Sequence, residues 1–242
     1  MTGGSGGIGS ATATLLAGAG WDVVVGYHRG GDSAQAVAAT CRSEGRTAIA
    51  VEVDVSSEEE VVRLFTTVDR EFGPVAALVN NAGIVDQKAR VDELTAARIR
   101  RMFDVNVLGS FLCAREAVRR MSRVHGGVGG AIVNLSSAAA RLGSPGEYVD
   151  YAASKGAIDT MTIGLAREVA TEGIRVNAVR PGLVNTTIHA RGDQPDRLER
   201  LSPLIPMGRP GEAEEVAEAI VWLCSPAASY VTGALIDVSG GR

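Results

Sequence analysis

Long apolar runs are missing from this 242-residue chain. No window approaches the ~18 uninterrupted apolar residues of a membrane span, and no basic segment followed by an apolar one stands at the start. No membrane partner is expected, and the reading is a cytoplasmic protein. Cysteine is scarce: Cys41, Cys113 and Cys224 are an odd number, widely spaced, so a disulfide framework or a zinc site is not expected. His28, His125 and His189 are equally scattered, which argues against a His-based metal centre. Positive charge is not in excess either. With 24 Lys and Arg against 28 Asp and Glu the net charge is −4, and a nucleic-acid backbone would need a concentrated basic surface. What remains is an ordinary globular composition, 45% hydrophobic and 21% charged, of a length that suits one α/β domain spanning residues 1–242.

The apolar residues fall into two alternating kinds of run. Val23-Val24-Val25, Ile49-Ala50-Val51, Ala77-Leu78-Val79 and Ala131-Ile132-Val133 are short and mostly β-branched, as are the runs over 174–179 and 234–238. These predict strands buried on both faces. Helical patterns lie between them, over 8–19, 33–44, 57–72, 92–124, 151–172 and 212–224. Strand, helix, strand, repeated along the chain, predicts a parallel sheet covered on both sides, a doubly wound fold. Ser56-Ser57 before Glu58-Glu59-Glu60, and Pro210-Gly211 before Glu212, supply helix-start chemistry. The segment from Pro181 to Pro210 lacks periodicity, and a loop of that length in a compact domain is usually functional.

Thr2-Gly3-Gly4-Ser5-Gly6-Gly7-Ile8-Gly9 has the composition of a flexible linker, yet a helical pattern and then a strand follow it directly. That context predicts a phosphate cradle: Gly3, Ser5, Gly7, Ile8 and Gly9 would bring the backbone close to a dinucleotide at a helix N-terminus. In such folds the glycine turn follows a central strand, and here only Met1 precedes it. The first strand is expected to be truncated in this sequence. At the end of the next strand, where an acidic residue would hold the ribose of NAD, the chain offers Tyr27, His28 and Arg29. NADP is therefore the favoured cofactor, with Arg29 on its 2′-phosphate and His28 assisting; a solvated Arg29, and NAD, are the alternatives.

Tyr151 and Lys155 stand at i and i+4 in a predicted helix, so both leave one face. An ammonium beside a phenol favours the phenolate and would make the tyrosine a usable proton donor and acceptor near neutral pH. The same spacing arises by chance on amphipathic helices. Asn80 and Asn81 close a strand where amides are expected to face the nucleotide crevice.

Taken together, these motifs resemble those of the short-chain dehydrogenase/reductases across essentially the whole chain. Thr2-Gly3-x-x-x-Gly7-x-Gly9 is similar to the family's cofactor turn, and Asp54-Val55 to its adenine contact. Asn80-Asn81-Ala82-Gly83 matches the motif that ends its fourth strand, and Asn106 its helix asparagine. Ser137, Tyr151 and Lys155 match the catalytic serine, tyrosine and lysine, while Pro181-Gly182, with Val184 and Thr186, matches the loop beside nicotinamide. The resemblance implies a Rossmann domain with a seven-stranded parallel sheet, a substrate lid over 185–207, and a homodimer or homotetramer. It implies hydride transfer between nicotinamide and a carbonyl or secondary alcohol, sugar-like, 3-oxoacyl or a simple ketone. Tyr151 would be the acid and base, Ser137 the oxyanion donor, Lys155 the partner of Tyr151 and of the nicotinamide ribose, and Asn106 part of a proton relay. Three departures stand out. Gly6 occupies a position that is often basic in NADP-dependent members. Fourteen positions, one more than is common, separate Ser137 from Tyr151, and Ser136 is adjacent. The competing class is a catalytically silent nucleotide sensor on the same fold.

Overall fold

The strands expected from the β-branched runs all form in the computed structural model, which describes residues 1–186 and 197–242. Strands β1 (Val23–Tyr27) and β2 (Ala48–Glu52) pair in parallel. Strands β3 (Ala77–Asn80), β4 (Gly130–Leu135), β5 (Ile174–Pro181) and β6 (Leu235–Val238) form a parallel sheet in that order. Side chains alternate between two hydrophobic clusters. Val25, Val133 and Val179 face one, with Leu16, Ile220 and Leu223, whereas Val24, Ile132 and Val176 face the other, with Leu64, Phe65 and Met121. Both faces are apolar because helices cover both, which is why these strands read as continuous β-branched runs.

The seven-stranded expectation is corrected in one respect: among the described residues there are six strands, in a two-stranded and a four-stranded sheet. Met1 to Gly4 stand between them. The Gly26 N–H donates to the Met1 carbonyl and the Gly4 N–H to the Gly26 carbonyl, both at 2.9 Å, while the Thr2 N–H reaches the Val79 carbonyl at 3.0 Å. So short a segment spans only the upper end of the two flanking edges. Below it lies a cavity of about 510 Å³ between Val23 and Ala77.

Helices α1 (Gly7–Gly18), α2 (Gly31–Ser43), α3 (Glu58–Phe72), α4 (Ala96–Phe103), α5 (Gly109–Met121), α6 (Ala139–Leu142), α7 (Val149–Val169), α8 (Arg197–Leu201) and α9 (Ala213–Cys224) complete the fold. The Ser57 hydroxyl accepts from the Glu60 N–H at 3.4 Å, so the predicted start of α3 is observed. At α9 the Glu215 carboxylate accepts from the Glu212 N–H at 2.8 Å. The long helix expected over 92–124 is instead divided. Thr95 caps α4, and a π turn, Asp104–Leu108, joins it to α5. A π turn keeps the backbone helical while adding one residue, so no cap or proline marks it in the sequence.

Candidate active site

The glycine turn is built around Asn81. Its amide donates to the Thr2 carbonyl at 3.0 Å and to the Gly3 carbonyl at 2.7 Å. Gly3 and Gly7 have φ of +64° and +55°, values that side-chain-bearing residues rarely adopt. A Cβ on Gly9 would overlap the Gly3 carbonyl oxygen. The N-terminus of α1 carries no side-chain cap, in contrast to the caps on α3 and α4. Open space in front of Gly6 and the first N–H groups of α1 make a cradle that fits a diphosphate. Ser5 stands against Gly30, ahead of α2, and Ile8 turns toward the large cavity beside the turn. On the other side, Thr186 lies 3.3 Å from the position a Cβ on Gly7 would take.

That cavity has a volume of about 480 Å³ and opens beyond the C-terminal ends of β3, β4 and β5. Tyr151, Lys155, Ser136, Ser137, Gly83 and Asn81 stand on its wall. Lys155 is buried, 5% exposed, with its ammonium donating to the Leu135 carbonyl at 2.6 Å and lying 5.7 Å from the centre of the Tyr151 ring. Burial pushes its pKa down to about 8, while the Asp159 carboxylate one helical turn on pulls it back up. A Cβ on Gly83 would lie 3.5 Å from that ammonium and 3.3 Å from Asn106 Oδ1, so glycine keeps the space before the lysine open.

The two serines differ in what their hydroxyls do. Ser136 is buried and donates to the Lys155 carbonyl at 3.2 Å, which ties β4 to α7. Ser137 accepts from the Ala139 N–H at 3.1 Å. Asn106, fully buried in the π turn, accepts from the Ile84 N–H at 2.8 Å and donates to the Ile84 carbonyl at 3.0 Å and to Ser154 Oγ at 3.1 Å. Its amide therefore holds the loop after β3.

Asn80 requires a correction. It is buried and donates to the Ser110 carbonyl at 3.1 Å and to Asn134 Oδ1 at 3.0 Å, so it points under α5 and away from the crevice. Asn80 is the last residue of β3, whereas Asn81 lies just beyond it and turns its amide to the Thr2 and Gly3 carbonyls. Asn134 in turn donates to Thr162 Oγ1 at 2.9 Å, a buried polar chain that sequence reasoning missed.

At the ribose end, His28 and Arg29 are exposed after β1. Asp54 Oδ1 accepts from the Ser56 N–H at 2.9 Å and from the Ser56 hydroxyl at 2.6 Å. Burial pushes the Asp54 pKa up, but those bonds and the nearby His28 hold it below its ordinary value. The Val55 side chain packs against Gly109 in the core, which leaves only its main chain to the crevice. Ala82 is fixed by its N–H donating to Thr2 Oγ1 at 3.1 Å. The Gly182 N–H donates to the Val238 carbonyl at 2.9 Å, the Pro181 carbonyl accepts from the Ala138 N–H at 2.9 Å, and Val184 pairs with Gly211. Of the expected lid, Ile188, His189, Arg191 and Asp193 lie outside the described residues, whereas Leu201 in α8 lines the cavity.

A residue with no local signal supports the start of α7. Arg98 in α4 donates from Nε to Asp150 Oδ2 at 2.8 Å and from Nη2 to Asp150 Oδ1 at 3.2 Å, and from Nη1 to the Gln87 carbonyl at 2.6 Å. Asp150 immediately precedes Tyr151.

A family model described as Enoyl-(Acyl carrier protein) reductase matches residues 3–242. The uncharacterized oxidoreductase YgfF of Escherichia coli (strain K12) is 57% identical over 242 residues, covering 100% of this chain and 98% of that protein. The cis-4-hydroxycyclohexanecarboxylate dehydrogenase of Sinomonas cyclohexanicum is 41% identical over 241 residues, covering 100% of this chain and 94% of that protein. Among solved structures, a short chain dehydrogenase from Burkholderia cenocepacia J2315 in complex with NADP has a TM-score of 0.91 at 32% identity, covering 100% of this chain and 95% of that one.

Proposed function

The chain belongs to the short-chain dehydrogenase/reductase family, and from that premise we propose that it is an NADP-linked oxidoreductase with Tyr151 as its general acid and base. The observation that carries the reading is the cavity wall, where Tyr151, Lys155 and Ser137 meet beside an uncapped glycine turn. When bound, the nicotinamide supplies or accepts a hydride at the substrate carbon.

In the reductive direction Tyr151 gives its phenolic proton to the carbonyl oxygen; in the oxidative direction it takes the alcohol proton. The Lys155 ammonium, fixed by the Leu135 carbonyl, lies beside the phenol ring and favours the phenolate. Because the Ser137 oxygen accepts from Ala139, its own O–H stays available to donate to the substrate oxygen, a contact worth roughly 3 kcal/mol in comparable sites. Asn106 holds the loop that carries Gly83, and its part in passing protons to solvent would run through its main-chain carbonyl, which also accepts from the Ser110 hydroxyl at 3.0 Å.

Backbone N–H groups of Gly3, Ser5, Gly7, Ile8 and Gly9 would hold the dinucleotide's phosphates, and Asp54 and Val55 its adenine. Asn81, Ala82, Gly83, Pro181, Gly182, Val184 and Thr186 would hold the nicotinamide side, and Lys155 and Tyr151 its ribose. Arg29 and His28, with no acidic residue at the end of β1, favour the 2′-phosphate, and the NADP bound by the Burkholderia protein is in keeping with that choice. Gly6 weighs toward NAD. The substrate is a carbonyl or secondary alcohol, sugar-like, 3-oxoacyl or a simple ketone; the ring alcohol named for the Sinomonas relative suits the last of these.

Leu108 and Phe111, 45% and 50% exposed at the π turn and α5, support pairing into a homodimer or homotetramer. A cytoplasmic location is supported by three cysteines that are all unpaired. The test is NADPH and NADH oxidation against a panel of ketones, aldehydes and 3-oxoacyl thioesters. Turnover with NADPH at least ten times that with NADH is expected; cofactor binding without turnover of any member would mean a sensor.

A further inference from the structure

Three charged residues line the cavity among the described residues: Lys155, Glu147 and Arg242. Lys155 is committed to the Leu135 carbonyl and stands beside Tyr151. Glu147 is balanced by Arg200, whose guanidinium lies 3.6 Å from its carboxylate. Arg242 differs from both. Its main-chain oxygen is fixed by Arg141 Nη2 at 3.0 Å and by the Ser239 hydroxyl at 2.8 Å, which holds the residue on the wall. Its guanidinium makes no hydrogen bond or ion pair among the described residues. The acidic group near this end, Asp237, lies 3.4 Å from Arg141 and 3.9 Å from Arg180, so it is already neutralised. The cavity also carries apolar lining at Leu142, Pro145, Leu183 and Leu201, with Ser144 and Tyr148 among them.

Arg242 is half-buried, and a guanidinium with no partner among the described residues gains most from an anion that completes its fork of donors. We propose that Arg242 is the substrate anchor, and that the preferred substrates are oxo acids or hydroxy acids, with an anionic group remote from the reacting carbon. The apolar wall takes the carbon skeleton, Ser137 and Tyr151 take the oxygen, and Arg242 takes the carboxylate. This rests on the oxidoreductase reading of the cavity and narrows its substrate class.

The experiment uses the full chain with NADPH and a series of straight-chain and cyclic oxo acids of graded length, each matched with its methyl ester. The acid of the best-fitting length should exceed its ester in kcat/KM by roughly tenfold to a hundredfold, mostly through KM, as a charge-assisted contact predicts. Arg242→Ala should collapse that ratio toward unity, Arg242→Lys should keep part of it, and Arg242→Glu should invert it. Calorimetry of the NADP-loaded protein with cyclohexanecarboxylate and cyclohexanecarboxamide gives a reading without turnover; the acid should bind more tightly, and Arg242→Glu should remove the difference. Esters reduced as well as acids, with a ratio indifferent to Arg242→Glu, would overturn the anchor while leaving the oxidoreductase intact. No turnover of acids, esters or the wider carbonyl panel would overturn both.

Discussion

The wall formed by β4 and α7 and the rim at the end of β1 hold their cations in opposite ways. Lys155 is buried, donates to the Leu135 carbonyl, and sits on a helix that Ser136 ties to β4. Arg29 is exposed and makes no hydrogen bond or ion pair among the described residues. The difference follows from the tasks proposed for them. A group that sets another's proton affinity must be fixed within a few ångströms in a low-dielectric setting, where charge acts strongly. A group that selects a phosphate from solvent works at the surface and needs only its charge and reach. Changes on the wall should therefore alter chemistry and folding together, whereas changes on the rim should alter cofactor choice alone.

Apart from Tyr151 itself, the largest effect expected is at Lys155. Replacement by Met should lower turnover by about a hundredfold or more. The same variant tests burial directly. Between pH 8 and 10.5 the folded protein has lost the Lys155 proton while the unfolded chain still holds one, so this group's destabilising contribution, present below about 8, is lifted as pH rises. Urea denaturation should show wild type gaining about 2 kcal/mol relative to Lys155→Met between pH 7 and 10. A constant difference would place Lys155 in a more polar setting.

Arg98→Ala should rank next. It strands the buried Asp150 carboxylate and should lower stability by about 3 kcal/mol in equilibrium unfolding. Arg98→Met with Asp150→Leu should recover much of the stability, though not the fixed start of α7, so turnover should stay low in the double variant. Recovery of both would show that the pair only supports folding.

On the rim, Arg29→Ala should raise the KM for NADPH by about tenfold and leave that for NADH within twofold, with no change in melting temperature. An equal loss with both cofactors would remove Arg29 from the 2′-phosphate.

Local patterns made much of this legible. The strands were readable because both faces of the sheet are covered, and the start of α3 because Ser57 and the following glutamates act within one turn. The glycine turn and the Tyr151–Lys155 pair are also local. What stayed hidden joins distant segments. Arg98 and Asp150 are 52 positions apart, and the polar chain through Asn80, Asn134 and Thr162 crosses two strands and a helix. The π turn was hidden for another reason, since no cap or proline marks it around Asn106. Asn80 misled because adjacent asparagines look alike in sequence, while Asn80 closes the strand on buried partners and Asn81 lies beyond it at the glycine turn.

In the mechanism proposed for the wall, Tyr151 transfers the proton while its surroundings stay in place. Single-turnover reduction by Tyr151→Phe, with NADPH affinity measured on the same preparation, tests it most directly. Hydride transfer is expected to slow by about a thousandfold, with NADPH affinity within about threefold of wild type. Hydride transfer at the wild-type rate in Tyr151→Phe would contradict it.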